Sequence, residues 1–307
     1  MSSVIAIVAL AAMLSLFVMP ASNAVAVDVA ILQSSDIAAY SEAVAGFKAA
    51  GIMGAIFTEY DLQGDLALGR KIARKVRASD TALVVAVGLK AALAAKLELP
   101  DIPIVYMMIL DPLKHELTAP NMTGTMLEVP TERQLKILRS FLPSSRRLGM
   151  LYNPGKSGSK LKEEVQEGRT NSFEVHGYPV ESERDVPQQL RLLLGENDAL
   201  WLIPDSTVLT NESVRFILDT SLERRVPVIG FSPEFTRLGA FLSISTSYTQ
   251  VGRETAALAK RILNKDVLLP LPPVPIERVK ITVNLKTAKF LNIPISKELN
   301  TIIDETH

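Results

Sequence analysis

The 307-residue chain contains no cysteine. It is therefore not a disulfide scaffold, a cysteine zinc finger, a cysteine hydrolase or a lipoprotein anchored through Cys. An excess of either charge is also missing, since 33 Lys and Arg stand against 33 Asp and Glu. A balanced surface does not gather phosphate, which argues against nucleic acid as a partner. Histidine is scarce: His115, His176 and His307 share no metal-ligand spacing, and the loose group Asp111, His115 and Glu116 does not make one, so no metal is expected. Aromatic residues are 6% of the chain, with one tryptophan; Trp201 lies within an apolar run and reads as core. No G-x-S-x-G elbow occurs. Gly155-Lys156-Ser157 has the ending of a phosphate loop, but the earlier glycine, Gly149, is one residue too distant and falls within an expected strand. With these signals absent, neither an enzyme nor a cofactor is expected.

What is present is apolar and regularly spaced. Hydrophobic residues make up 48%, which excludes a disordered tail. Val4 to Met19 is an apolar run broken only by Ser15 and followed by Pro20, with small residues at Ser22, Ala24 and Ala26. As a helix it would rise only about 24 Å, short of a hydrocarbon core of about 30 Å. Residues 1–26 are read as a cleaved secretory signal, although Met1-Ser2-Ser3 carries no basic residue. The mature chain is then expected to be periplasmic or otherwise extracytoplasmic.

From Val27 onward, short runs of Val, Ile, Leu and Ala alternate with amphipathic stretches, the pattern of parallel sheets covered by helices. Strands are expected at 27–32, 52–57, 81–87 and 102–109, and helices at 38–50, 62–78 and 89–97. Residues 110–129 read as a connector rich in turn formers. A second series follows, with helices at 131–141, 159–171, 186–194 and 207–223 and strands at 148–152, 173–180, 199–203 and 226–230. Two four-stranded α/β lobes joined by a hinge are expected: 27–120 with part of 240–265, and 121–239 with part of 270–307. Pro270 to Pro275 holds four prolines and reads as an extended crossing.

Ligands of open parallel sheets bind beyond the carboxyl ends of the strands, and two such sheets facing each other make a cleft that closes on a small molecule. The residues so placed are Gln33, Ser34 and Ser35, then Gly88 and Leu89, then Asp111 in the first lobe. In the second they are Asn153, then Asp205 and Ser206, then Phe231, with Tyr248 after a later strand end. Most are also preferred caps and turn formers, so capping and ligand contact both stand as readings. Asp205 is expected to face an ammonium group, with Thr207 left to cap the following helix. Phe231 and Tyr248 are expected to wall an apolar or planar ligand. The basic run Arg70, Lys71, Arg74, Lys75 and Arg77 reads as a solvated face or a docking surface for a permease.

Five blocks carry a resemblance. They are Ile109-Leu110-Asp111-Pro112; Asn121 to Thr125 through Pro130, Glu132, Gln134-Leu135 and Leu142-Pro143 to Gly149-Met150-Leu151-Tyr152-Asn153-Pro154; Pro204 to Val208; Val226-Pro227-Val228 with Gly239-Ala240; and Val283 to Lys286 with Ala288-Lys289. In order and spacing the chain resembles the ABC-transporter substrate-binding proteins of tryptophan and tyrosine type, over roughly residues 28 to 299. The resemblance implies a type I periplasmic-binding-protein fold and solute capture by a monomer that serves an ABC permease and its ATPase subunit. It also implies that Ser34, Ser35 and the Gly88 loop hold a carboxylate and Asp205 an amine. Where the family's loop after the third strand often carries a hydroxyl residue, this chain has Leu89-Lys90. A sensory protein reporting to a membrane receptor would use the same cleft.

Overall fold

The computed structural model describes residues 27–307. The leader expected over residues 1–26 lies outside them, and no described helix is long and apolar enough to cross a membrane. In chain order the first elements are β1 (Val27–Gln33), α1 (Ala38–Ala49), β2 (Ala55–Asp61), α2 (Leu66–Arg77), β3 (Leu83–Val87), α3 (Leu89–Glu98), β4 (Ile104–Met107) and β5 (Met122–Gly124). Then come α4 (Thr131–Phe141), β6 (Arg147–Tyr152), α5 (Pro154–Thr170), β7 (Glu174–Pro179), α6 (Val186–Glu196), β8 (Ala199–Trp201), α7 (Asn211–Glu223) and β9 (Val228–Gly230). The chain closes with α8 (Pro233–Arg237), β10 (Leu242–Ser245), α9 (Tyr248–Leu263), β11 (Lys280–Val283), α10 (Leu285–Phe290), α11 (Lys297–Asn300) and β12 (Glu305–Thr306).

Every residue of β3 is buried, which requires a sheet covered on both faces. It is the middle strand of a parallel sheet in the order β2-β1-β3-β4-β5. One face packs on α2 and α3 through Ala73, Val76, Ala91 and Ala95. The other packs on α1 and on α9, through Val44, Phe47, Val251 and Ile262. The second sheet runs β12-β11-β10-β9-β8-β6-β7. It is parallel apart from the antiparallel join of β10 with β11. It too has a core on each face: one around Leu135, Phe141, Trp201 and Phe241, the other around Leu190, Leu193, Ile217 and Val228. The molecule is thus an α/β protein of two parallel-sheet lobes flanked by helices, the class read from the sequence.

The sheets hold five and seven strands where four each were expected. β5 lies within the stretch read as a connector; at three residues it is too short to show a period, and pairing with β4 buries it. β2 begins at Ala55 because residues 52–55 form a turn closed by Ala55 N donating to Ile52 O at 3.0 Å, and it ends on polar residues because it is a half-exposed edge strand. α5 begins at Pro154, not Ser159. The Asn153 side chain caps it by accepting from Gly155 N at 3.0 Å, and Pro154 suits the first turn. α7 begins at Asn211 because residues 205–209 form a turn and Thr210 is the cap, accepting from Ser213 N at 3.1 Å.

The chain passes between the two sheets at 125–130, 246–247 and 277–279. These crossings are tied together. Val274 pairs with Thr125 and donates from N to Gly124 O at 2.8 Å, and Met126 N donates to Val274 O at 2.8 Å. The Thr125 and Thr255 hydroxyls lie 2.7 Å apart, and Glu277 N donates to Glu254 Oε2 at 2.9 Å. α9 returns to the first lobe along a glycine seam. A Cβ on Gly252 would stand 1.9 Å from the Ala43 carbonyl oxygen, and one on Gly46 would stand 2.2 Å from that of Thr249. Only glycine allows two backbones so close.

Candidate functional site

The carboxyl ends of β8, β9 and β10 open on one cavity of about 460 Å³ at the crossings, within the range of small-molecule sites. Its second-lobe wall combines the apolar Trp201, Ile203, Pro204, Phe231 and Ile244 with Ser232, Glu234, Arg237 and Lys280. From the other side it meets Glu42 of α1, Leu110 after β4 and Tyr248 at the start of α9. Residues 127–129 and 245–247 line it where the chain changes lobes. Trp201 is both core and wall, being buried among Leu135, Leu138 and Ile244 while bordering the cavity. Phe231 is held edge-on to Phe235, with ring centres 4.9 Å apart.

One corner of this cavity is charged. Lys160 and Glu164 of α5 and Glu128 of the first crossing all line it. Lys160 Nζ lies 3.3 Å from Glu128 Oε2, 3.2 Å from Glu163 Oε1 and 3.3 Å from Glu164 Oε1. Thr131 at the start of α4 donates its hydroxyl to Glu163 at 3.0 Å or to Glu164 at 3.1 Å. Burial works against the Lys160 ammonium, but Glu164, Glu128 and Glu163 together outweigh it and raise its pKa. Glu164 is completely buried. Burial, supported by the Glu163 charge, pushes its carboxyl up to about 7 against the opposing pull of Lys160 and Thr131. Three carboxylates compete for one ammonium, and burial raises the pKa of the most deeply buried of them. Its second oxygen, Oε2, has no hydrogen-bond partner, and neither has the buried Thr246 Oγ1 on the same cavity.

Of the residues singled out from sequence, Phe231 and Tyr248 line the cavity. Gln33, Ser34, Ser35, Gly88, Leu89 and Asp111 sit at the carboxyl edge of the first sheet and do not line it. Ser34 is buried and its Oγ accepts from Ala91 N at 3.0 Å. Gly88, with φ of 83°, lies so near Ser34 and Tyr40 that a Cβ would fall 2.7 Å from the Ser34 Oγ and 2.5 Å from the Tyr40 hydroxyl. Gln33 Oε1 is buried without a partner. Asp111 accepts from Lys114 N at 3.1 Å in an exposed turn, and Lys90 reaches the Gly64 carbonyl.

Asn153, Asp205 and Ser206 form a network inside the second lobe, and this changes what the sequence suggested for Asp205. Its carboxylate accepts from Asn153 N at 2.7 Å, Thr207 N at 2.8 Å, Val208 N at 3.3 Å and the Ser157 hydroxyl. Both oxygens are therefore engaged, and the residue holds two loops together instead of facing the cavity. Thr207 caps no helix. The string Gly155-Lys156-Ser157 is the first turn of α5, with Lys156 Nζ donating to Ser206 Oγ at 2.9 Å. The basic face of α2 is partly paired: Arg70 and Arg74 reach Glu98 at 2.6 and 2.9 Å, and Arg77 reaches Asp101 at 2.9 Å.

Lys160, Glu164, Glu128 and Thr246 were not found by looking after strands. A signal for Glu164 does exist, because Ser157, Leu161, Glu164 and Gly168 fall on one helical stripe, and Ser157, Glu164 and Gly168 are the buried residues of α5. A carboxylate on that stripe is placed towards the protein.

The sequence profile of a family described as ABC transporter substrate binding protein matches residues 24–306. A tyrosine-binding protein of Clostridioides difficile (strain R20291) is 23% identical over 239 residues, covering 75% of this chain and 69% of that one. Among solved structures, the chain superposes on a ligand-free, open substrate-binding protein with adhesive properties from Clostridium difficile. That match has a TM-score of 0.77, 23% identity and coverage of 91% of this chain and 98% of that one. An ABC domain in complex with L-Trp from Streptococcus pneumoniae gives a TM-score of 0.63 at 17% identity, over 92% of this chain and 100% of that one.

Proposed function

Because the chain belongs to the ABC transporter substrate binding protein family, we propose that it captures a small solute in the cavity between its lobes and delivers it, chemically unchanged, to an ABC permease driven by an ATPase subunit. The observation that carries this reading is the 460 Å³ cavity at the crossings, lined by apolar and charged side chains and bordered by two buried oxygens without hydrogen-bond partners. A site built to hydrogen-bond a ligand has this form.

The closing bodies are residues 27–125 with 246–276 and residues 126–245 with 277–307, turning on the three crossings. On closure the Gln33–Ser35 and Gly88–Leu89 loops, Asp111 and Tyr248 come down on a ligand already resting on Phe231, while Asn153, Asp205 and Ser206 keep the facing loops in shape. The protein acts as a monomer outside the cytoplasm. An amino acid is the ligand class supported best, since two of the similar proteins are described with tyrosine and L-Trp.

The test is a thermal-shift screen of the chain from Val27, unfolded and refolded to strip bound solute, against amino acids, short peptides, nucleosides and sugars. A ligand at one hundred times its Kd adds about 2.7 kcal/mol, enough to move the midpoint by several degrees. A shift with amino acids is expected. Silence across the whole panel would refute the reading.

A further inference from the structure

We propose that the third crossing turns at the link between Arg278 and Val279, and that Glu254 and Arg133, which line no part of the cavity, set the affinity of solute capture by holding the rest of that crossing rigid. Ile276, 1% exposed, belongs to the core of the first lobe, and Val279 packs against the core of the second. The change of lobe is therefore made within Glu277 and Arg278. The peptide joining 276 to 277 is pinned at both edges: its carbonyl accepts from Arg133 Nη1 of α4 at 3.2 Å, and its N–H donates to Glu254 Oε2 of α9 at 2.9 Å. The next peptide, joining 277 to 278, is pinned in the same way, its carbonyl by Arg133 and its N–H by Glu254 Oε1 at 3.3 Å. Gln250 steadies the carboxylate by donating to Oε1 at 3.0 Å. One side chain from each lobe thus fixes two consecutive peptide planes, and with them both dihedrals of Glu277. The peptide joining 278 to 279 makes no hydrogen bond among the described residues. Rotation is left to the dihedrals of Arg278 and to φ of Val279.

A crossing freed at Glu277 as well would let the ligand-free lobes take orientations from which their facing loops do not meet. The fraction of molecules able to close then falls, and apparent affinity falls by the same factor for every ligand. A residue that touches the ligand acts differently, because its loss is felt unequally by ligands of different shape. The proposal rests on the solute-capture reading, and its experiment separates the two.

The chain has no cysteine, so Ala67→Cys on α2 and Glu212→Cys on α7, both at exposed positions, carry one spin label to each lobe. Double electron–electron resonance of the ligand-free chain from Val27 is expected to give a broader distance distribution in Glu254→Ala and in Arg133→Ala than in the parent. Arg278→Ala, whose exposed side chain makes none of these bonds, should leave the width unchanged. In calorimetric titrations with L-tyrosine, L-tryptophan and L-leucine, Glu254→Ala and Arg133→Ala are each expected to lose about three- to tenfold in affinity, by one factor for all the amino acids bound. Glu254→Gln keeps a carbonyl acceptor and should fall between. The double variant should lose less than the product of the single losses, since both side chains pin the same planes. Urea unfolding verifies that each variant is native. Unchanged widths or unchanged affinities in the two alanine variants, or a loss confined to one amino acid, would overturn the proposal and leave solute capture standing. If the wild type binds none of the three, the ligand-free widths alone decide where the crossing turns, and the wider screen decides capture.

Discussion

Replacing Glu164 by glutamine tests the buried charge cluster without any ligand. The carboxyl moves from 4.5 to about 7 on folding, chiefly through burial. Between those values the folded chain holds a proton that the unfolded chain has lost. The contribution of the group is fully present below about pH 4.5, declines by about 1.4 kcal/mol for each pH unit, and is gone above about pH 7. Over this window the loss comes to about 3 kcal/mol. Glutamine is a neutral isostere at every pH, and its carbonyl can still accept from Thr131. Relative to wild type, Glu164→Gln should therefore gain about 3 kcal/mol between pH 4.5 and pH 8, whatever its offset at the acid end. Titrating groups outside this cluster cancel in the difference. Urea unfolding of both proteins, followed by far-ultraviolet circular dichroism in half-unit steps of pH, measures it. A difference that stays constant from pH 5 to pH 8 would mean that Glu164 is ionised throughout. One that shrinks as pH rises would reverse the sign. Either result refutes the raised pKa of the Glu164 carboxyl.

Two further outcomes follow from geometry alone. Gly252→Ala forces a methyl against the Ala43 carbonyl and the Phe47 amide; it should cost about 1–3 kcal/mol in thermal or urea unfolding, and a neutral effect would mean that α1 and α9 are not in backbone contact. Asp205→Ala strips the acceptor from four donors and should destabilise the chain by about 2–3 kcal/mol, with any loss of ligand affinity following from it; unchanged stability with sharply weaker amine binding would return Asp205 to the site.

The fold was legible where one physical rule governs several residues at once. A run such as Leu83–Val87, apolar at every position, belongs in a doubly covered strand, and Leu135 and Leu138 beside Glu132 and Lys136 belong on a helix. Elements that exist through their partners were hidden. β5 is three residues whose only reason to extend is β4, and β12 is two residues held by β11. The candidate site divides along the same line. Phe231 and Tyr248 could be placed on the cavity because a loop after a strand is a local property. Glu164 looks like half of an ordinary i,i+4 pair with Lys160, indistinguishable from its neighbour Glu163 until α4 and the first crossing cover it. The network of Asp205 was only half legible, since two of its four donors come from residues 153 and 157, about fifty positions earlier.

The return of α9 to the first lobe sets the order in which the chain can be completed. The first sheet is finished by residue 124, yet one of its faces is covered by α1 alone until residues 248–263 arrive. A ribosome therefore releases nearly the whole chain before the first half can bury its core, and the loop to be closed spans about two hundred residues. The second sheet waits as well, for β11 and β12. Cutting the chain at either of the first two crossings would give fragments with one exposed apolar face each, prone to associate with other chains. Neither half is a module that can be borrowed. A circular permutant whose new ends fall in the exposed turn at 111–116, with the old termini joined, keeps every crossing and is the rearrangement this topology allows.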